Sequence, residues 1–82
     1  MKDFREQCAE SMENLYKLQR KIQGGQNNKC LHIQLQDGDV PALVNDTGNE
    51  VVMMNGIDLW KDGELVNGNV SEEDAFNWMV EN

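Results

Sequence analysis

From Asp3 to Gln23 the apolar residues Phe4, Cys8, Met12, Leu15, Leu18 and Ile22 recur every three or four positions, the spacing that gathers them on one stripe of a helix. Acids occupy the first half of this segment, while Lys17, Arg20 and Lys21 occupy the second, as the helix dipole favours. Glu13 and Lys17 form an i to i+4 pair. Gly24-Gly25 is expected to close the helix in the left-handed conformation, with a polar loop from Gln26 to Lys29 behind it.

The period then changes to two. Leu31, Ile33 and Leu35 alternate with His32, Gln34 and Gln36, which predicts a strand with one buried face and its histidine pointing outward. Asp37-Gly38-Asp39 reads as a turn, 42–44 as a short strand after Pro41, Asp46 to Asn49 as a second turn, and 50–54 as another strand. Asn55-Gly56, Asp62-Gly63 and Asn67-Gly68 tolerate positive φ and point to two-residue hairpins. In that register Met54 faces Ile57, Val52 faces Leu59, Lys61 faces Glu64 and Trp60 faces Leu65.

Ser71 followed by Glu72, Glu73 and Asp74 has the form of a helix N-cap and an acidic first turn. Phe76, Met79 and Val80 fall on one side of this second helix and Trp78 on another. The expectation is a single α+β domain over residues 1–82. An amphipathic helix at about 3–23 packs on a four- or five-stranded antiparallel meander at about 30–70, and a short helix follows at about 72–81.

Charge sharpens this outline. Residues 1–29 hold six bases against four acids, whereas residues 30–82 hold Lys61 alone against eleven acids, within a formal net charge of −8. Such a surface repels phosphate, so direct nucleic-acid binding is not expected, and it attracts a basic partner over a Debye length of about 8 Å. No apolar run reaches the roughly 18 residues of a membrane span, and Met1 to Glu6 lack a signal-peptide core, so a cytoplasmic protein is expected. There Cys8 and Cys30 stay thiols.

No constellation carries recognisable chemistry. Cys30 and His32 share the outward strand face and with Cys8 could offer zinc three soft ligands, but a fourth is missing, and as a nucleophilic pair Cys30 and His32 lack a third group to orient them. Asp37, Asp39, Asp46 and Asp58 miss the spacing of a calcium loop, and no phosphate-cradling glycine pattern occurs. Eighty-two residues leave little room for an enclosed active site, so neither an enzyme nor a metal or other cofactor is expected.

The function most consistent with these features is a small acidic protein-binding module that engages a basic, nucleic-acid-binding surface of a larger protein. Carboxylates can offer its Lys and Arg the hydrogen bonds that phosphates would make. The candidate contact residues are Asp37, Asp39, Asp46, Glu50, Asp58, Glu72, Glu73, Asp74 and Trp78, while Trp60, facing Leu65, is assigned to the core. In size, acidity and absence of motif the chain resembles the small inhibitors that phages encode against restriction or CRISPR enzymes, a likeness of composition that implies inhibition by occlusion. The alternative is a homo-oligomeric structural or accessory protein, such as a homodimer, assembled through the stripe of the first helix.

Overall fold

The computed structural model describes residues 2–25 and 30–81. Helix α1 (Phe4–Gly25) precedes five strands, β1 (His32–Gln36), β2 (Val40–Val44), β3 (Asn49–Val52), β4 (Asp58–Lys61) and β5 (Glu64–Asn67), and helix α2 (Glu72–Val80) follows them. The strands form one antiparallel sheet in the order β1-β2-β3-β4-β5, so the expected α+β meander has five strands.

The register fixes which side chains share a face. Ile33 pairs with Leu43, Leu43 with Val51 and Val51 with Leu59, a row of apolar residues crossing four strands. Leu43, Val51 and Leu59 join Leu15, Leu18 and Ile22 of α1 and Ala75 and Met79 of α2 in the main core, with Ile33 packed against it. Both helices therefore lie on one face of the sheet. Alternation sends the intervening residues to the other face, where Ala42, Val44 and Val52 form a second buried cluster under Val40, Met54 and Trp60.

Several local expectations are met. The Glu13–Lys17 pair closes at 3.5 Å. Asp62 and Gly63 have φ of 52° and 78°, as a type I′ turn requires, and Trp60 faces Leu65 and Lys61 faces Glu64 across it. Ser71 caps α2 by accepting a hydrogen bond from the Asp74 N–H at 3.1 Å.

Others need correction. Asn55-Gly56 is not a two-residue hairpin: β3 stops at Val52, a five-residue link spans 53–57, and Val52 faces Asp58 while Val51 faces Leu59. Gly56 supplies the one positive φ there, 84°, beside the Asn69 side chain. Asn67-Gly68 is not a hairpin either, because the positive φ falls on Asn69, whose N–H donates to the Asp58 carboxylate on the way into α2. Pro41 lies inside β2 instead of before it. Gly24 and Gly25 sit within α1 with negative φ, so the left-handed closure expected of them does not occur, and the loop expected at 26–29 lies outside the described residues.

The stripe on α1 is also shorter than its sequence suggests. Its buried positions are Ser11, Leu15, Leu18 and Ile22, while Phe4 is 49% exposed, so the first two turns run past the core. Leu35, expected inside, is 58% exposed on the outer strand.

Two buried asparagines tie the layers together. Asn45 donates to the Met79 carbonyl at 2.8 Å while its Oδ1 accepts from the N–H groups of Thr47 and Asn49 and from the Thr47 hydroxyl. Asn49 donates to the Trp78 carbonyl at 2.8 Å and accepts from Lys61 Nζ at 3.1 Å. The last carbonyls of α2, which the helix itself cannot satisfy, thus receive donors from β3 and the β2–β3 turn.

Candidate functional site

Among the described residues one face of the sheet carries no helix. By register it displays His32, Gln34 and Gln36 from β1, Glu50 from β3, Asp58 and Trp60 from β4, and Leu65 from β5. Trp60 stands between Glu50 and Leu65, half-buried over the Ala42, Val44 and Val52 layer. Its indole N–H is shielded from solvent and finds no acceptor among the described residues. Between Trp60 and β1 lies a shallow depression of about 420 Å³, walled by Gln34, Gln36, Asp37, Glu50 and Gly63. Gln36 donates to Glu50 at 2.8 Å, and His32 and Gln34 share a 2.9 Å hydrogen bond, which fixes the polar rim.

No Lys or Arg projects from this face among the described residues. Lys2, Arg5, Lys17, Arg20 and Lys21 all belong to α1 or the residues leading into it. Lys61, the lone base of the second part of the chain, lies on the helix side, where its ammonium meets Asn49 at the C-terminal end of α2. That position suits a cation at a helix terminus.

The candidate acids fall into three places. Strand direction brings the β1–β2 turn with Asp37 and Asp39, the start of β4 with Asp58, and the first turn of α2 with Glu72, Glu73 and Asp74 to one end of the sheet. Glu50 lies on the open face, and Asp46 sits alone of the set at the opposite end, in the β2–β3 turn. Asp58 is committed to the Asn69 N–H, and Glu72 approaches Lys21 at 3.9 Å. Asp37, Asp39, Asp46, Glu73 and Asp74 are exposed.

The two tryptophans are both half-buried, each against its own apolar cluster, instead of one in the core and one near the surface. Trp78 packs against the main core and donates its indole N–H to the Glu50 carbonyl at 3.1 Å, whereas Trp60 sits on the open face. Alternation from Leu59, the most apolar position of β4, was the signal that could have placed Trp60 outside the main core.

The helix side holds one feature the sequence did not suggest, an open cleft of about 870 Å³ between α1, the β3–β4 link and the start of α2. Leu18, Met53, Met54 and Ile57 supply its apolar wall and Lys2, Lys17, Arg20 and Lys21 its cations. Three of these cations have acid neighbours: Lys2 meets Glu10 at 2.6 Å, Lys17 meets Glu13 and Lys21 meets Glu72. No thiol, hydroxyl or imidazole is among the described side chains that line the cleft. Cys30 is exposed on its strand approach, and the His32 ring is engaged by Gln34. No three His, Cys, Asp or Glu side chains among the described residues are grouped to hold a metal ion, and no described helix is long and apolar enough to cross a membrane.

Comparison with protein-family models, with curated proteins and with solved structures finds no match to this chain.

Proposed function

We propose that this chain is a non-enzymatic binding module that docks on a basic protein surface through the open face of its sheet, with Trp60 at the centre and carboxylates around it. One observation carries the reading: the face without helices combines a half-buried tryptophan, a depression beside it and flanking acids, and among the described residues it bears no cation. An aromatic anchor inside a polar rim is the arrangement that concentrates binding energy at protein interfaces. Asp37, Asp39, Glu50 and Asp58 supply the negative potential that steers a basic surface toward it. Where that surface normally holds nucleic acid, the module acts as an inhibitor by occupying the groove, in the cytosol, where Cys8 and Cys30 stay reduced.

Affinity capture with the wild-type chain and two variants, Trp60→Ser and Asp37→Lys/Asp39→Lys, tests this reading. The expected outcome is a partner retained by the wild type, lost at least tenfold in each variant, and released as salt rises from about 0.05 to 0.5 M. Retention that neither variant nor salt changes would contradict it. For the inhibitory form, simultaneous binding of the captured partner to nucleic acid and to this protein is the contrary result.

A second reading, assembly through α1, rests on the first two turns of that helix, where Phe4 is left exposed beyond the core.

A further inference from the structure

The open edge of β1 carries an interaction surface that is independent of the acidic-face reading. β1 is the outermost strand on its side of the sheet, so its outward row of N–H and C=O groups has no strand partner among the described residues. Natural sheets blunt such edges with charged side chains, proline or bulges, because an unprotected edge templates another strand. The opposite edge, β5, also exposes Leu65 and Val66, but it contains Glu64 and a bulge that leaves Val66 without a cross-strand partner. β1 has neither. His32-Ile33-Gln34-Leu35-Gln36 contains no acid, lysine, arginine or proline, pairs with β2 at all five positions without a bulge, and leaves Leu35 58% exposed.

We infer that β1 pairs antiparallel with β1 of a second copy of this chain, across a two-fold axis through Gln34. The sequence of the strand is complementary to itself in that register. Ile33 and Leu35 share the helix-side face, so Ile33 meets the partner's Leu35 and Leu35 meets the partner's Ile33. The exposed leucine gains apolar neighbours on both chains. On the opposite face Gln34 meets the partner's Gln34, amide to amide, and His32 meets the partner's Gln36. Moving the axis to Leu35 would place Ile33 against the partner's Asp37, and centring it between residues would set apolar positions against polar ones on every rung. The two sheets then join into one of ten strands, an isologous arrangement with closed symmetry.

Electrostatics gives this dimer a distinctive signature. Each chain carries a net charge of −8, so two copies repel, and salt that shortens the Debye length from about 10 Å at 0.1 M to about 3 Å at 1 M strengthens their association. Docking to a basic partner responds to salt in the opposite direction, so either can fail without the other.

Sedimentation or light scattering of the full chain up to about 1 mM, the range that populates a small transient interface, tests the inference. The wild type is expected to dimerise more tightly at about 0.5 M salt than at about 0.05 M. Leu35→Lys and Gln34→Lys, both at exposed positions and checked for folding by circular dichroism, are each expected to weaken the dimer at least tenfold, and Phe4→Lys to leave it unchanged. A wild type that remains monomeric throughout, a dimer that survives both β1 substitutions, or one that Phe4→Lys dissolves overturns the inference.

Discussion

At the scale of single residues, polar groups inside this small core set its stability. Ser11 is buried on α1 with a hydroxyl that finds no partner among the described residues, so Ser11→Ala removes a desolvated group and adds a better helix former. The expected gain is about 1 kcal/mol, read from urea unfolding midpoints. Asn45 is the opposite case, since its amide serves the Met79 carbonyl and its oxygen serves three donors of the β2–β3 turn. Asn45→Ala is expected to cost about 2–3 kcal/mol in the same measurement, and a loss under about 0.5 kcal/mol would show the network is dispensable. Neither role was legible beforehand. Hydrophobic period identifies where a core lies, but a buried asparagine that caps a helix 34 residues away leaves no periodic trace.

At the scale of elements, local chemistry wrote most of the fold and long-range packing the remainder. The period of α1, the alternation in β1, the type I′ turn at Asp62-Gly63 and the Ser71 cap are each contained within a few residues, and each was readable. The β3–β4 link was not, because Asn55-Gly56 is a local hairpin signal, whereas the five-residue link is tied to a distant segment by the Val70 N–H donating to the Ile57 carbonyl at 2.8 Å. Both turn glycines have positive φ, and neither faces a rigid neighbour: a Cβ on Gly63 meets open space, and one on Gly56 comes within 2.9 Å only of Asn69 Oδ1, the end of an exposed side chain that can turn away. Gly56→Ala and Gly63→Ala are therefore each expected to destabilise by about 1 kcal/mol through backbone strain, as seen in thermal unfolding, and a loss near zero at either would contradict the left-handed conformation there. The open cleft beside α1 was hidden for the same reason, since it arises from how α1 sits against the β3–β4 link.

At the scale of the whole molecule, charge is sorted by face. The bases of the described residues lie on α1 or just before it, or at Asn49 in the case of Lys61, while the open face has none. Counting along the sequence revealed the imbalance between the two parts of the chain, but only the sheet register divides Glu50 and Asp58 from the acids of α2. The acids alone do not make a site, because Asp46 sits at the far end of the sheet and Glu72 to Asp74 serve the dipole of their own helix. Trp60 gives the open face its centre. The most direct measurement is an amide and indole NMR titration of the chain with an arginine-rich helical peptide as a defined basic surface. The account predicts chemical-shift changes centred on the Trp60 indole N–H, Gln34, Gln36 and Glu50, weakened at least tenfold by Trp60→Ser. Changes confined to Glu72, Glu73 and Asp74, or spread evenly over every acid, would contradict it.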